Sequence, residues 1–271
     1  MLLPPPPHEQ PKRPLLQYFG GKWQLAPWLI SHFPEHRIYV EPFGGAGSVL
    51  LRKPRSPVEV YNDLDEEIVN LMRVVQNPSQ CQRLFRLLRR TPYARAEFNR
   101  ASLRAKDPVV RAQRTIIRAG MAFNGCAIYN SFKGNFSHRH HITGKNRAKD
   151  WANYPRTLVA ICRRLRGVYI ECRNALDIID AQDTPQTLFY LDPPYVPATR
   201  TSGGYRHEMT EEQHIELLER IKAVQGRAVI CGYASELYDN MLSGWQRHTK
   251  EAHATNSHKK ATEVVWIKPT T

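Results

Sequence analysis

The chain has 271 residues, 41% of them apolar, with 39 lysines and arginines against 25 acids and a formal net charge of +14. Such a composition buries a core and excludes a disordered tail, and the length suits one large α/β domain with an insertion or two domains in series. No run reaches the roughly 18 apolar residues of a membrane span, Pro4 to Pro7 break the place of a signal peptide's apolar run, and Cys81, Cys126, Cys162, Cys172 and Cys231 form no C-x-x-C pair; a cytoplasmic protein with no membrane association, disulfide framework or zinc knuckle is expected.

Residues 1–14 are proline-rich and read as a disordered or extended arm. A strand at residues 37–40 runs into a glycine-rich turn and a helix to about residue 51; a second strand at 58–61 leads to a helix ending near residue 75. From 79 to 121 the pattern is helical and arginine-rich, with Pro92 and Pro108 as breaks. Residues 123–150 have no clear period and read as a loop or irregular hairpin, and a helix at about 155–166 follows. Strands return at 168–172, 187–191, 227–231 and 263–267, with helices at 211–223, capped by Thr210, and near 235–242. The alternation predicts a mostly parallel sheet with helices on both faces, interrupted after its second strand by a basic helical insertion, and a ligand crevice at the carboxyl ends of the strands.

Charge is concentrated in the insertion. Between residues 81 and 166 there are 20 lysines and arginines but only three acids, Glu97, Asp107 and Asp150, while the rest of the chain has a net charge of −3. A solvated helical face usually mixes signs, so a nucleic-acid polyanion is the expected partner, ahead of acidic lipid. Phe123, Tyr129, Phe132 and Phe136 interleave with this segment and suit either wedging into a duplex or packing the loop. The cluster His138-Arg139-His140-His141 lies among cations with no acid or cysteine beside it, so phosphate contact or plain loop is expected and no metal.

Three motifs fall at the expected crevice. Gly44-Gly45-Ala46-Gly47 permits a tight turn and close approach of a ligand to the main chain, although a turn alone would explain it equally well. Asp63, 19 residues after Gly44 and just past the second strand, suits a ribose diol, whereas Asp65 suits helix-start electrostatics. Leu191-Asp192-Pro193-Pro194-Tyr195 ends an apolar strand with an acid, two prolines and an aromatic ring. The Asp192 carboxylate and the Pro193 carbonyl can accept both hydrogens of a planar NH₂ group, and Tyr195 can stack on the base that carries it.

Asp-Pro-Pro-Tyr at 192–195, Tyr18-Phe19-Gly20-Gly21-Lys22, Glu41-Pro42-Phe43-Gly44-Gly45-Ala46-Gly47 and Asn62-Asp63 together resemble the Dam-type (alpha-group) adenine-specific DNA methyltransferases, over about residues 17–269. The resemblance implies a Rossmann-like methyltransferase sheet with a basic, mainly helical inserted DNA-recognition domain. It divides the chain into a catalytic domain at 15–78 and 167–271, which binds S-adenosylmethionine, and a recognition domain at 79–166. It implies Asp192, Pro193, Pro194 and Tyr195 as catalytic, and Tyr18, Lys22, Glu41, Phe43, Gly44, Gly45, Gly47, Asp63, Asn174 and Asp192 as cofactor-binding. Lys22 would otherwise be a surface lysine and Tyr18 an aromatic packing the arm. At Arg173-Asn174-Ala175 the sequence departs from the family's aspartate; the Asn174 oxygen can still accept from the cofactor's adenine amine, without the charge.

The implied reaction moves a methyl group from S-adenosylmethionine to the exocyclic amine of a flipped-out adenine in a specific duplex site. The expected DNA contacts are Arg111, Arg114, Arg118, Asn124, Lys133, Arg139 and Lys145, with the loop at 123–149 reading bases. The expected enzyme is a monomer without an obligate protein partner, cytoplasmic and associated with the nucleoid through DNA, in a restriction-modification, replication or prophage setting. Two other readings stand: methylation of another planar amine or amide (cytosine in DNA, adenine in RNA, a glutamine side chain), or a DNA-binding protein on a decayed methylase scaffold.

Overall fold

A computed structural model describes residues 10–17, 20–122, 135–137, 146–196, 206–253 and 260–269. The chain divides into a sheet unit (Gln24–Gly44, Lys53–Asp65, Gly167–Thr271) and a helical unit (Met1–Trp23, Gly45–Arg52, Glu66–Arg166).

Among the described residues the sheet unit has seven strands: β1 (Ile38–Glu41), β2 (Val58–Asn62), β3 (Tyr169–Glu171), β4 (Thr187–Leu191), β5 (Arg227–Tyr233), β6 (Gln246–His253) and β7 (Lys260–Ile267). Their order is β3-β2-β1-β4-β5-β7-β6. The first five are mutually parallel, and β7 pairs antiparallel with both β5 and β6. The mostly parallel sheet is therefore present, and the expected last strand begins at Lys260.

Register separates the two faces. Val40, Val60, Phe189, Leu191, Ile230, Val264 and Trp266 share one face and form the apolar core of this unit. Onto it pack α9 (Ala175–Gln182), α10 (Glu211–Ala223) and α11 (Glu236–Met241). α10 buries His214, Leu217, Leu218 and Ile221, the i, i+3, i+4, i+7 stripe of an amphipathic helix. Thr210 caps it as expected, in a reciprocal box with Gln213. The other face carries Tyr39, Glu41, Tyr61, Tyr190, Cys231 and Glu263, a markedly more polar set. The short α1 (Ala26–Ile30), α9 and β6 were not expected. β6 reads Gln-Arg-His-Thr-Lys-Glu-Ala-His, and an edge strand needs no apolar alternation to be held by a single neighbour.

The helical unit contains α2 (Ser48–Arg52), α3 (Glu66–Gln76), α4 (Pro78–Arg90), α5 (Arg95–Arg100), α6 (Pro108–Met121), α7 (Arg147–Asn153), a 3₁₀ turn (Tyr154–Arg156) and α8 (Thr157–Leu165). Asn77 caps α4 and Asp107 caps α6, each followed by proline at the first helical position, so Pro108 starts a helix and Pro92 lies in the turn between α4 and α5. α3 packs on α4, α6 and α8, which places Glu66–Gln76 in this unit, ahead of the expected boundary at 79. α7 begins within the segment expected to be irregular, capped by Asn146. No helix among the described residues is long and apolar enough to cross a membrane.

Candidate active site

The sheet order reverses between β1 and β4: the chain passes from β1 outward to β2 and β3, then from β4 outward to β5. The carboxyl ends of those two strands form the topological switch point at which ligands of open α/β sheets bind. Glu41 ends β1, Asp63 follows β2 and Asp192 follows β4, so three neighbouring strands each terminate in a carboxylate. With strands about 4.8 Å apart, like charges are crowded along this edge, an arrangement suited to a cation or to hydroxyl donors.

Glu41 and Asp63 are held in place by hydrogen bonds. Glu41 is 2% exposed and accepts from Tyr39 Oη at 2.9 Å. Asp63 Oδ1 accepts from the Asp65 backbone N–H at 2.8 Å. Between them Asn62, fully buried, donates Nδ2 to the carbonyls of Pro42 and Arg173, both at 2.9 Å, and accepts from the Arg173 N–H at 2.9 Å. One amide thereby joins the loops that leave β1, β2 and β3. In the sequence Asn62 stands out only as Asp63's neighbour, at the end of the strand Val58-Glu59-Val60-Tyr61.

Gly44 has a different reason from the one expected. A Cβ there would lie 2.1 Å from a Tyr61 ring carbon, so packing against the buried aromatic ring by itself requires glycine. Gly45 and Gly47, with φ of 48° and 63°, are the positions where the turn enters the left-handed region. Phe43 is half-buried against the apolar core of the sheet unit. Asn174 caps α9, its Oδ1 accepting from the Leu176 N–H at 2.9 Å, so one lone pair of the oxygen expected at the cofactor amine is already engaged. In the helical unit Lys22 is 5% exposed and its Nζ donates to the Gly20 carbonyl at 3.0 Å. It is no surface lysine, and a lysine is rarely buried without a purpose. Tyr18 lies outside the described residues.

The Asp192–Tyr195 segment leaves β4 with Pro193 and Tyr195 buried and Asp192 and Pro194 partly exposed. Tyr195, 6% exposed, donates Oη to Glu263 Oε2 at 2.8 Å, and its ring meets Tyr233 edge-on at 4.5 Å. Glu263 on β7 is itself 7% exposed and also accepts from Cys231 Sγ at 3.7 Å. The sequence reading missed Glu263, although an acid opening the run Val264-Val265-Trp266-Ile267 marks an inward-facing polar group. Nearby Tyr190 is almost wholly buried; burial pushes its phenol well up, and the charge of Asp192 adds to this. Its hydroxyl has no hydrogen-bond partner among the described residues. Asp65, expected at a helix start, immediately precedes α3; buried, it also pairs with Arg206 at 2.9 Å, tying the chain beyond Tyr195 to the end of β2.

The expected DNA-binding arginines on α6 are engaged inside the helical unit. Arg111 donates Nη2 to Glu67 Oε1 at 2.8 Å, Arg118 lies 4.0 Å from Glu67 Oε2, and Arg114 donates to the carbonyls of Leu103 and Arg104, both at 2.7 Å. By contrast Arg86, Arg89 and Arg90 on α4 are exposed and make no ion pair among the described residues. Phe136 packs with Tyr93 and Phe98, with the Arg95 guanidinium over its ring, which favours the packing role. Asn124, Lys133, Arg139 and Lys145 lie outside the described residues, as does the histidine cluster at 138–141.

Comparison with known proteins completes the picture. Residues 18–256 match the family described as D12 class N6 adenine-specific DNA methyltransferase. The chain is 25% identical over 248 residues to the DNA adenine methylase of Escherichia coli K12, covering 88% of this chain and 85% of that protein. It is 25% identical over 243 residues to the type II methyltransferase M.MjaIII of Methanocaldococcus jannaschii, covering 79% and 81%. Among solved structures, a SAM-dependent methyltransferase from Agrobacterium tumefaciens aligns with a TM-score of 0.40 at 10% identity, over 92% of this chain and 62% of that one. With a match that runs from the first motif at Tyr18 past the polar strand β6, the chain belongs to the D12 class of N6 adenine-specific DNA methyltransferases.

Proposed function

We propose that the carboxyl edge of the sheet unit is where this chain methylates the exocyclic amine of an adenine turned out of duplex DNA. The family supplies the reaction, N6 methylation of adenine in DNA with S-adenosylmethionine as cofactor; the residue roles are the proposal. The observation that carries it is the row Glu41, Asp63 and Asp192 at the ends of three adjacent strands, beside a motif whose tyrosine is bonded into the sheet. That set of acceptors fits the cofactor, which brings an ammonium group, a ribose diol and, as the methyl source, a positively charged sulfur.

Asp63 accepts from the ribose hydroxyls, and Glu41 adds negative charge beside the cationic portion. Lys22 and the Gly45 to Gly47 turn serve the amino-acid portion, a role resting on the family resemblance. Asn174 offers its remaining lone pair to the cofactor's adenine amine. The target nitrogen is a poor nucleophile because its lone pair is delocalised into the ring. Asp192 and the Pro193 carbonyl accept its two hydrogens and so favour a more tetrahedral nitrogen, while the two prolines and Tyr195 fix the approach. In the helical unit, phosphate contacts are assigned to Arg86, Arg89 and Arg90, and base reading stays with the loop at 123–149. The enzyme acts as a cytoplasmic monomer on nucleoid DNA.

The test is Asp192→Ala, with methylation read by adenine-modification sequencing and by digestion with methylation-sensitive enzymes. Loss of one preorganised acceptor should cost on the order of 10² to 10³ in rate with DNA affinity preserved; activity within tenfold of the parent would remove Asp192 from this role.

A further inference from the structure

We infer that the opposite edge of the sheet, where its parallel strands begin, holds a second site, for a phosphate-bearing small molecule of nucleotide size. A cleft of about 600 Å³ opens there, within the range of small-ligand sites. Arg37 immediately precedes β1, Arg227 opens β5 and Gln186 immediately precedes β4, the strand between them; all three line the cleft. Two strand spacings put the backbones of the two arginines on the order of 10 Å apart. Arginine side chains converging from that distance can share one phosphate group, each using its planar fork of donors.

Besides Lys53, the charged side chains lining the cleft are Arg37, Arg55 and Arg227 against the single acid Glu35, a net of +2. Lys53, 2% exposed, is saturated: its Nζ donates to Glu59 Oε1 at 2.8 Å, Ser56 Oγ at 2.7 Å and the Pro54 carbonyl at 2.7 Å. Ser56 in turn bonds His36 Nε2 at 2.9 Å, and His36 Nδ1 bonds the Pro34 carbonyl at 2.8 Å. Nδ1 must donate to the carbonyl, so in the neutral ring Nε2 is the atom that accepts from Ser56 Oγ. Burial holds His36 below its usual range, with Lys53 and Arg227 adding against the Pro34 bond and Glu59. Arg55 stands 3.8 Å from Glu59, while Arg37 and Arg227 make no ion pair among the described residues; the Arg227 guanidinium donates to the Pro185 carbonyl at 3.1 Å. Phe33, Pro54 and Pro57 line the same cleft and give it an apolar wall, which favours a phosphate carried on a ring system over a bare anion.

The experiment is calorimetry of the full chain with ATP and with pyrophosphate as probes, at physiological salt and with saturating S-adenosylhomocysteine so that the cofactor side is closed to adenosine. ATP should bind more tightly than pyrophosphate, and Arg37→Ala/Arg227→Ala should weaken both by about tenfold or more, with methyl transfer unchanged because neither residue lies at the carboxyl edge. ATP should also raise the His36 titration midpoint, read from its ring protons, since an anion offsets the nearby cations; the double variant should abolish that shift. ATP binding weaker than about 1 mM, or indifferent to the double substitution, overturns the site. Pyrophosphate binding as tightly as ATP overturns the nucleotide assignment, and a substitution that weakens duplex DNA binding while sparing both probes overturns the small-molecule assignment.

Discussion

The bond between Tyr195 and Glu263 links the Asp192–Tyr195 motif to the sheet, and its strength follows from its burial. Donor and acceptor lie 2.8 Å apart and are 6% and 7% exposed. Removing one partner of a buried hydrogen bond costs about 1–3 kcal/mol, whereas replacing both by apolar groups can be nearly neutral. Tyr195→Phe and Glu263→Leu should therefore each lose about 1–3 kcal/mol, and the double variant little more than either alone, a coupling of about 1–2 kcal/mol. Glu263→Gln keeps an acceptor oxygen and should lose less than about 1 kcal/mol. If the ring stacks on the target base as proposed, Tyr195→Phe should stay within about tenfold of the parent turnover, about 1.4 kcal/mol of barrier, while Tyr195→Ala should fall well beyond it. Urea midpoints at constant slope give the stabilities, and single-turnover methyl transfer gives the rates. Single-variant losses that add within about 0.5 kcal/mol would show that the two side chains are not coupled, and the role of Glu263 in positioning Tyr195 would fall.

Other expectations are equally direct. Asp63→Ala should raise the Michaelis constant for S-adenosylmethionine and leave duplex binding unchanged; unaltered cofactor affinity by calorimetry would take Asp63 off the cofactor side. Gly44→Ala should destabilise the protein by about 1–3 kcal/mol, because the added methyl meets the Tyr61 ring at 2.1 Å, and Tyr61→Leu should restore much of the loss in a melting experiment. If rescue fails, the turn and not the ring demands the glycine. Changing Arg86, Arg89 and Arg90 to Gln should flatten the dependence of log affinity on log salt by about 2.7, at roughly 0.9 per phosphate, equally for all DNA sequences. An unchanged slope would place the phosphates elsewhere.

What the sequence disclosed depended on whether the signal was local. The run Thr187–Leu191 is rich in leucine and aromatic residues, is buried throughout and becomes the strand beside the switch point, so the motif that follows it could be placed at the carboxyl edge from sequence alone. β6 could not be found this way, because a polar edge strand is made by its neighbour β7 and not by its own pattern. Asn62 and Glu263 stayed hidden for a related reason. Their partners, Arg173 and Tyr195, are brought to them by sheet pairing across 111 and 68 residues of sequence.

The arginines make the same point about charge. Counting cations located the basic segment but could not divide its residues between roles. Arg111 and Arg86 are the same residue type on neighbouring helices, yet Arg111 meets Glu67 from 44 residues away and Arg86 does not. An internal ion pair leaves a guanidinium little to offer a phosphate, because breaking the pair costs part of what the new contact would gain. On that reasoning Arg111→Gln should lower stability, measured by urea unfolding, and hardly change the salt slope of DNA binding. The opposite pattern would return α6 to the DNA interface.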